Sequence, residues 1–162
     1  MAGQSNKQTT DLESRKRMLT VLTKYFLDFM FYAGILATIS LPFSIRRAGR
    51  YLSGFERYYW EMLVIYFVLG ISAIFLIYEL RKIFRTVLAK KCFVPENVNS
   101  LRRMGNISFF IVVMSLVRCI VYFTIAMAVV IFVFIIAGLF SKVLAYVFEE
   151  AVRYKEENDM TI

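Results

Sequence analysis

Apolar residues fall into four long runs in this chain, at 22–42, 60–79, 105–122 and 124–148, with polar and charged segments between them. The hydrocarbon core of a bilayer, about 30 Å thick, takes about 20 mostly apolar residues to cross as a helix. Lipid offers no partner to a backbone N–H or C=O, so a segment that is not part of a closed barrel crosses it as a helix. The pattern predicts an all-α polytopic membrane protein, a four-transmembrane-helix bundle in which residues 1–162 form a single membrane domain.

The second half requires a decision on the number of crossings. Between Ile107 and Phe140 the only charge is Arg118. One helix over those 34 residues would be about 51 Å long, too long for one crossing. The 46 residues from Arg103 to Phe148 suffice for two crossings and a tight turn, which is expected near Arg118–Thr124. Neither Gly nor Pro marks that turn, and the alternative is three spans with the C-terminus on the other side.

Helical periodicity continues beyond two of the runs. Leu80, Ile83, Phe84, Val87 and Leu88 recur at helix spacing after the second, with Arg81, Lys82, Arg85 and Lys90 between them, so this helix is expected to extend to about residue 91. Val143, Leu144, Val147, Phe148, Ala151 and Val152 extend the fourth in the same way to about residue 157, with Glu149, Glu150, Glu156 and Glu157 at the other positions. The basic extension reads as resting on anionic lipid headgroups, or as packing its apolar stripe against the acidic extension. Pro95 and Glu96 suit the first turn of a helix, with Asn97, Asn99 or Ser100 as caps of the third span.

Composition strengthens the membrane reading. Hydrophobic residues make up 59% of the chain, against about 45–50% in ordinary soluble domains. The net charge of +8 is first a topology signal. Arg81, Lys82, Arg85, Lys90, Lys91, Arg102 and Arg103 crowd the segment between the second and third runs, and Lys7, Arg15, Lys16 and Arg17 precede the first. Placing both on the cytoplasmic side gives N-in and C-in, the parity of four crossings, with the first run as an uncleaved signal anchor.

Candidate chemistry is sparse. With no His anywhere, His-dependent zinc sites, triads and proton relays are excluded. No GxGxxG or GxxxxGK[ST] supports nucleotide binding, Cys92 and Cys119 are expected on opposite sides of the membrane, and neither an enzyme nor a cofactor is expected. The intramembrane polar candidates are Lys24, Asp28, Glu61 and Arg118. Asp28 is expected to pair with Lys24 one turn away, or else to bind a cation, a proton or a polar group on another span. Glu61 and Arg118, both near the outer end, form a possible pair. The outer segment carries Arg46, Arg47, Arg50, Arg57, Tyr58, Tyr59 and Trp60, read as an aromatic belt or as a receptor surface for anionic lipid or an extracellular peptide. Gly34 with Ala37, Gly70 with Ala73, and Ala137 with Gly138 are candidates for close helix approach.

Two stretches resemble a known family. One is Cys92-Phe93-Val94-Pro95-Glu96-Asn97-Val98-Asn99-Ser100-Leu101-Arg102-Arg103-Met104-Gly105, and the other is the ending Lys155-Glu156-Glu157-Asn158-Asp159-Met160-Thr161-Ile162. They are similar to the pattern before the third span, and to the acidic-Asn-Asp-aliphatic-Thr-aliphatic ending, of a bacterial family of small integral membrane proteins, domain-of-unknown-function family 2975. The resemblance implies four spans and a cytoplasmic C-terminus, supplies no catalytic residues, and suggests a helix-turn-helix DNA-binding regulator as a companion.

Three functions follow as expectations. The first is a regulator of the bacterial plasma membrane that binds a cytoplasmic protein through Arg81, Phe84, Arg85, Phe93, Asn97, Leu101, Arg102, Glu156, Glu157, Asn158, Asp159 and Thr161. The second is a self-protection (immunity) protein against a membrane-active peptide, using the outer Arg and aromatic residues. The third is a small transporter or channel subunit, for which Asp28 is the sole support. Direct nucleic-acid binding is not expected, and homo-oligomerisation is left open.

Overall fold

The computed structural model describes the backbone of residues 2–49, 59–89, 91–121 and 123–159. Four helices account for nearly all of it: α1 (Ala2–Gly49), α2 (Tyr59–Leu88), α3 (Pro95–Val121) and α4 (Ile125–Asp159). No strand occurs among the described residues. Each helix contains a stretch long and apolar enough to cross a membrane, and the chain is a multi-pass membrane protein of four spans.

The helices outrun the apolar runs that announce them. α1 has 48 residues, about 72 Å at 1.5 Å per residue, more than twice a hydrocarbon core. It passes through Pro42 without ending, as helices in lipid tolerate when neighbouring groups re-satisfy the freed carbonyl. The α3–α4 turn falls where length arithmetic puts it, between Val121 and Ile125, and the Thr124 carbonyl accepts from the amides of Met127 (2.9 Å) and Ala128 (3.3 Å) to start α4. Pro95 opens α3 as expected, but Asn97, Asn99 and Ser100 are not its caps: all three lie inside the helix.

Packing follows chain order: α1 meets α2, α2 meets α3 and α3 meets α4, and no other pair of helices is in contact among the described residues. The α1–α2 register is antiparallel, with Asp28 against Arg81, Gly34 against Ile74 and Thr38 against Gly70. At Gly70 a Cβ would lie 2.8 Å from Thr38 Oγ1, so only glycine admits this approach. α3, with a neighbour on each side, is the most enclosed helix. Its buried face runs Asn97, Leu101, Met104, Ser108, Ile111, Ser115, Arg118, alternating four- and three-residue steps as a helix stripe must. Gly138 lets α4 come close to it, a Cβ there standing 3.3 Å from that of Ser108.

The apolar core gathers at the end where α2 finishes and α3 begins. Ile83, Leu101, Met104 and Ala145 form it, with Leu80, Val87, Leu144 and Phe148 packed around them. The stripes expected to extend α2 and α4 therefore do meet one cluster, with the first turns of α3 between them.

Candidate functional site

Three interhelical ion pairs join the described helices, one at each seam and all near the same end of the molecule. Asp28 of α1 accepts from Arg81 of α2 at 2.6 Å. Glu79 of α2 accepts from Arg103 of α3 at 3.2 Å. Glu149 of α4 accepts from Arg102 of α3 at 2.6 Å. Glu79 and Arg81 lie within one turn of α2, and Arg102 and Arg103 are adjacent on α3, so the three pairs form a belt at one depth.

The pairs differ in environment. Arg81 is half-buried and its guanidinium lies 4.5 Å from the Phe31 ring centroid and 5.9 Å from that of Tyr32, so α1 supplies both a carboxylate and an aromatic face. Glu79 is 6% exposed, with Oε2 buried and lacking a hydrogen-bond partner among the described residues, while Arg103 is largely open. Arg102 and Glu149 are both about half exposed, and such a pair contributes about 0–1 kcal/mol.

Below the belt, a buried amide holds the α2–α3 connection. Asn97 has no exposed surface and donates from Nδ2 to the Cys92 carbonyl at 2.7 Å. Thr86 Oγ1 is 2.7 Å from both the Ile83 carbonyl and Asn97 Oδ1, and shares its one proton between them. Phe93 stacks at a tilt on Phe148 with centroids 5.4 Å apart, which ties the connection to α4. On the α3–α4 seam Lys142 donates to Asn106 Oδ1 at 2.6 Å, its stem lying so close to Gly105 that a Cβ there would be 3.0 Å away.

At the opposite end Arg118 is 3% exposed. It donates to Tyr66 Oη at 2.7 Å and to Thr124 Oγ1 at 3.1 Å, with its guanidinium 5.3 Å from the Tyr66 ring centroid. This ties the start of α4 and the end of α3 to α2.

Several expected arrangements are corrected. Asp28 takes its partner from another span, Arg81, and not from Lys24, which is exposed. Arg118 bonds Tyr66 and Thr124, while Glu61 is exposed and makes no ion pair with it. The ion pairs seen for α4 do not lead to the basic end of α2: Glu149 goes to Arg102, and Glu150 and Glu157 lie 2.6 and 3.9 Å from Arg153 of α4 itself. Asn97 and Leu101 are interior residues of the α2–α3 seam and are closed to an outside partner. Arg85, Phe93, Arg102, Glu156, Glu157 and Asn158 are exposed, and Arg81 and Phe84 are half-buried. Arg46, Arg47 and Trp60 are exposed at the other end. Arg50, Arg57, Tyr58 and Thr161, and the side chains of Tyr59 and Asp159, lie outside the described residues.

Glu79, Tyr66 and Thr86 were not singled out by their sequence. Glu79 closes the second apolar run and reads there as an ordinary end marker; its one distinguishing signal is a carboxylate two residues before a cluster of cations. Tyr66 and Thr86 look like lipid-compatible residues until their partners on α3 are known.

No curated protein and no solved structure matches the chain. A family model described as "Protein of unknown function (DUF2975)" matches residues 2–162. With its four lipid-crossing helices and a match along nearly its whole length, the chain belongs to that family.

Proposed function

We propose that this is a non-enzymatic regulator of the bacterial plasma membrane, with both termini in the cytoplasm, that holds a soluble protein against its basic end. One observation carries the reading. α1 and α4 both continue past the rest of the fold on the side where the ion-pair belt lies. In the antiparallel register, the end of α2 at Leu88 stands level with residue 21 of α1, so residues 2–20 project beyond it. On α4, Glu149 pairs with Arg102 two turns into α3 and Val152 is buried, so Pro95 at the start of α3 stands level with about residue 156, and the last turn of α4 continues beyond it. Arg153, Tyr154, Lys155, Glu156, Glu157 and Asn158 are exposed there. Arg153 pairs within the helix with Glu150 and Glu157, and such exposed, weak pairs are suited to exchange for a protein's charged groups.

Orientation rests on charge: the basic residues of the α2–α3 connection and of the N-terminal segment favour the cytoplasmic face. The companion suggested by family resemblance, a helix-turn-helix DNA-binding regulator, fits as the occupant. Co-purification from detergent extracts of the full chain and of a chain lacking residues 153–162 tests the reading. Recovery of a cytoplasmic partner by the full chain alone supports it; equal recovery by both contradicts it.

A further inference from the structure

We infer that the outer face of α2 is a seat for an anionic phospholipid, with its phosphate bound by Arg81, Lys82 and Arg85. This is independent of whether a protein docks on α4. Trp60, Val64, Phe67, Ile71, Phe75 and Tyr78 are exposed and recur at three- and four-residue steps along α2. Their spacing places them on one face of the helix, as one continuous apolar stripe. The stripe ends at a pocket of about 160 Å³ lined by Tyr78, Arg81, Lys82 and Arg85. The next positions of the same face, Lys82 and Arg85, exchange apolar side chains for cations at the depth of the ion-pair belt.

The pocket holds more positive charge than the fold neutralises. Among the described residues Asp28 is the one carboxylate paired with a residue lining it, and it takes one side of Arg81. The stack on Phe31 fixes that guanidinium. The other carboxylate nearby on α2, Glu79, is buried on the opposite seam and paired with Arg103. By the α1–α2 register Lys24 stands level with Arg85 and adds a further cation at this depth. An anion held here meets Arg81, fixed by Asp28 and Phe31, together with Lys82, Arg85 and Tyr78, while its tails lie on Phe75 and Ile71. A phosphodiester with acyl chains satisfies both halves of the surface; free phosphate satisfies only the upper half. Basic residues near a membrane surface favour anionic lipid in this way.

The test is native mass spectrometry of the full chain, purified in a neutral detergent and titrated with phosphatidylglycerol, phosphatidylcholine or inorganic phosphate. The expected result is preferential retention of phosphatidylglycerol. The double variant Lys82→Ala/Arg85→Ala should weaken that retention by about 25-fold, about fivefold per basic side chain. Lys82→Arg/Arg85→Lys should restore it, and Arg153→Ala on α4 should leave it unchanged. Neither Lys82 nor Arg85 holds a helix seam, so lipid-free melting of the variants should match that of the parent. Equal retention of the two lipids, an unchanged double variant, or displacement of phosphatidylglycerol by millimolar inorganic phosphate would each overturn the proposal.

Discussion

Asp28 and Arg81 face each other at 2.6 Å across the α1–α2 seam, and this contact is the only ion pair that ties α1 to the rest of the described structure. Among the described residues α1 packs against α2 alone, so no second helix backs up this contact. Both side chains are about a quarter exposed, between the exposed regime of about 0–1 kcal/mol and the buried one of about 3–5 kcal/mol. Asp28→Asn and Arg81→Gln should each lower stability in detergent by about 1–2 kcal/mol. The exchanged pair Asp28→Arg/Arg81→Asp should recover part of the loss in a thermal melt. Additive losses with no recovery would show that the contact carries no coupling.

Gly70 tests the close approach on the same seam. Gly70→Ala gains up to about 1 kcal/mol of helix propensity, but its Cβ would lie 2.8 Å from Thr38 Oγ1. That hydroxyl is pinned by its 2.8 Å bond to the Gly34 carbonyl, so the clash should dominate at about 1–3 kcal/mol. In a Thr38→Ala background the same substitution should turn neutral or stabilising. Thermal melts of the four combinations give the sign in each background.

Ser108 separates packing from polarity on the α3–α4 seam. Its hydroxyl is buried without a hydrogen-bond partner among the described residues, and its Cβ faces Gly138. Ser108→Ala should cost nothing or stabilise slightly, since it removes a polar group that is desolvated and unpaired. Ser108→Leu should drive α3 and α4 apart and destabilise by about 1–3 kcal/mol. Chemical unfolding in mild detergent would rank the three proteins.

Asn97 makes two bonds that differ in sense, so two substitutions dissect it. Asn97→Ala loses both and strands the Cys92 carbonyl, at about 1–3 kcal/mol. Asn97→Asp keeps the acceptor for Thr86 but places a carboxylate oxygen 2.7 Å from a carbonyl, and should be the worse of the two. Faster proteolysis of the α2–α3 connection in both variants, greater in Asn97→Asp, is the expected readout.

Hydropathy makes the number of spans and the site of the α3–α4 turn legible, because lipid forces helices and their length is arithmetic. The extension of α2 and α4 is visible in the apolar stripes that run on through Leu88 and Val152. Partner choice is not legible. From the sequence, Lys24 is the only cation within helical reach of Asp28; Arg81 arrives from a different span only after α1 and α2 pair antiparallel. Polar residues in the α3 segment misled for the same reason. Asn97 has the composition of a cap, but its burial between α2 and α3 depends on Thr86 and Cys92 being brought to it. Glu79 is not legible either, because a carboxylate at the end of an apolar run ordinarily faces water, and its enclosure comes from α3.

Topology underlies the functional account, and labelling single cysteines with a membrane-impermeant maleimide in intact spheroplasts measures it directly. In a Cys92→Ser/Cys119→Ser background, Arg47→Cys should react from outside, and Asn158→Cys should react only after permeabilisation. Reaction of Asn158→Cys in sealed spheroplasts, with Arg47→Cys protected, would place the ion-pair belt and both helical projections outside the cell and contradict a cytoplasmic docking role.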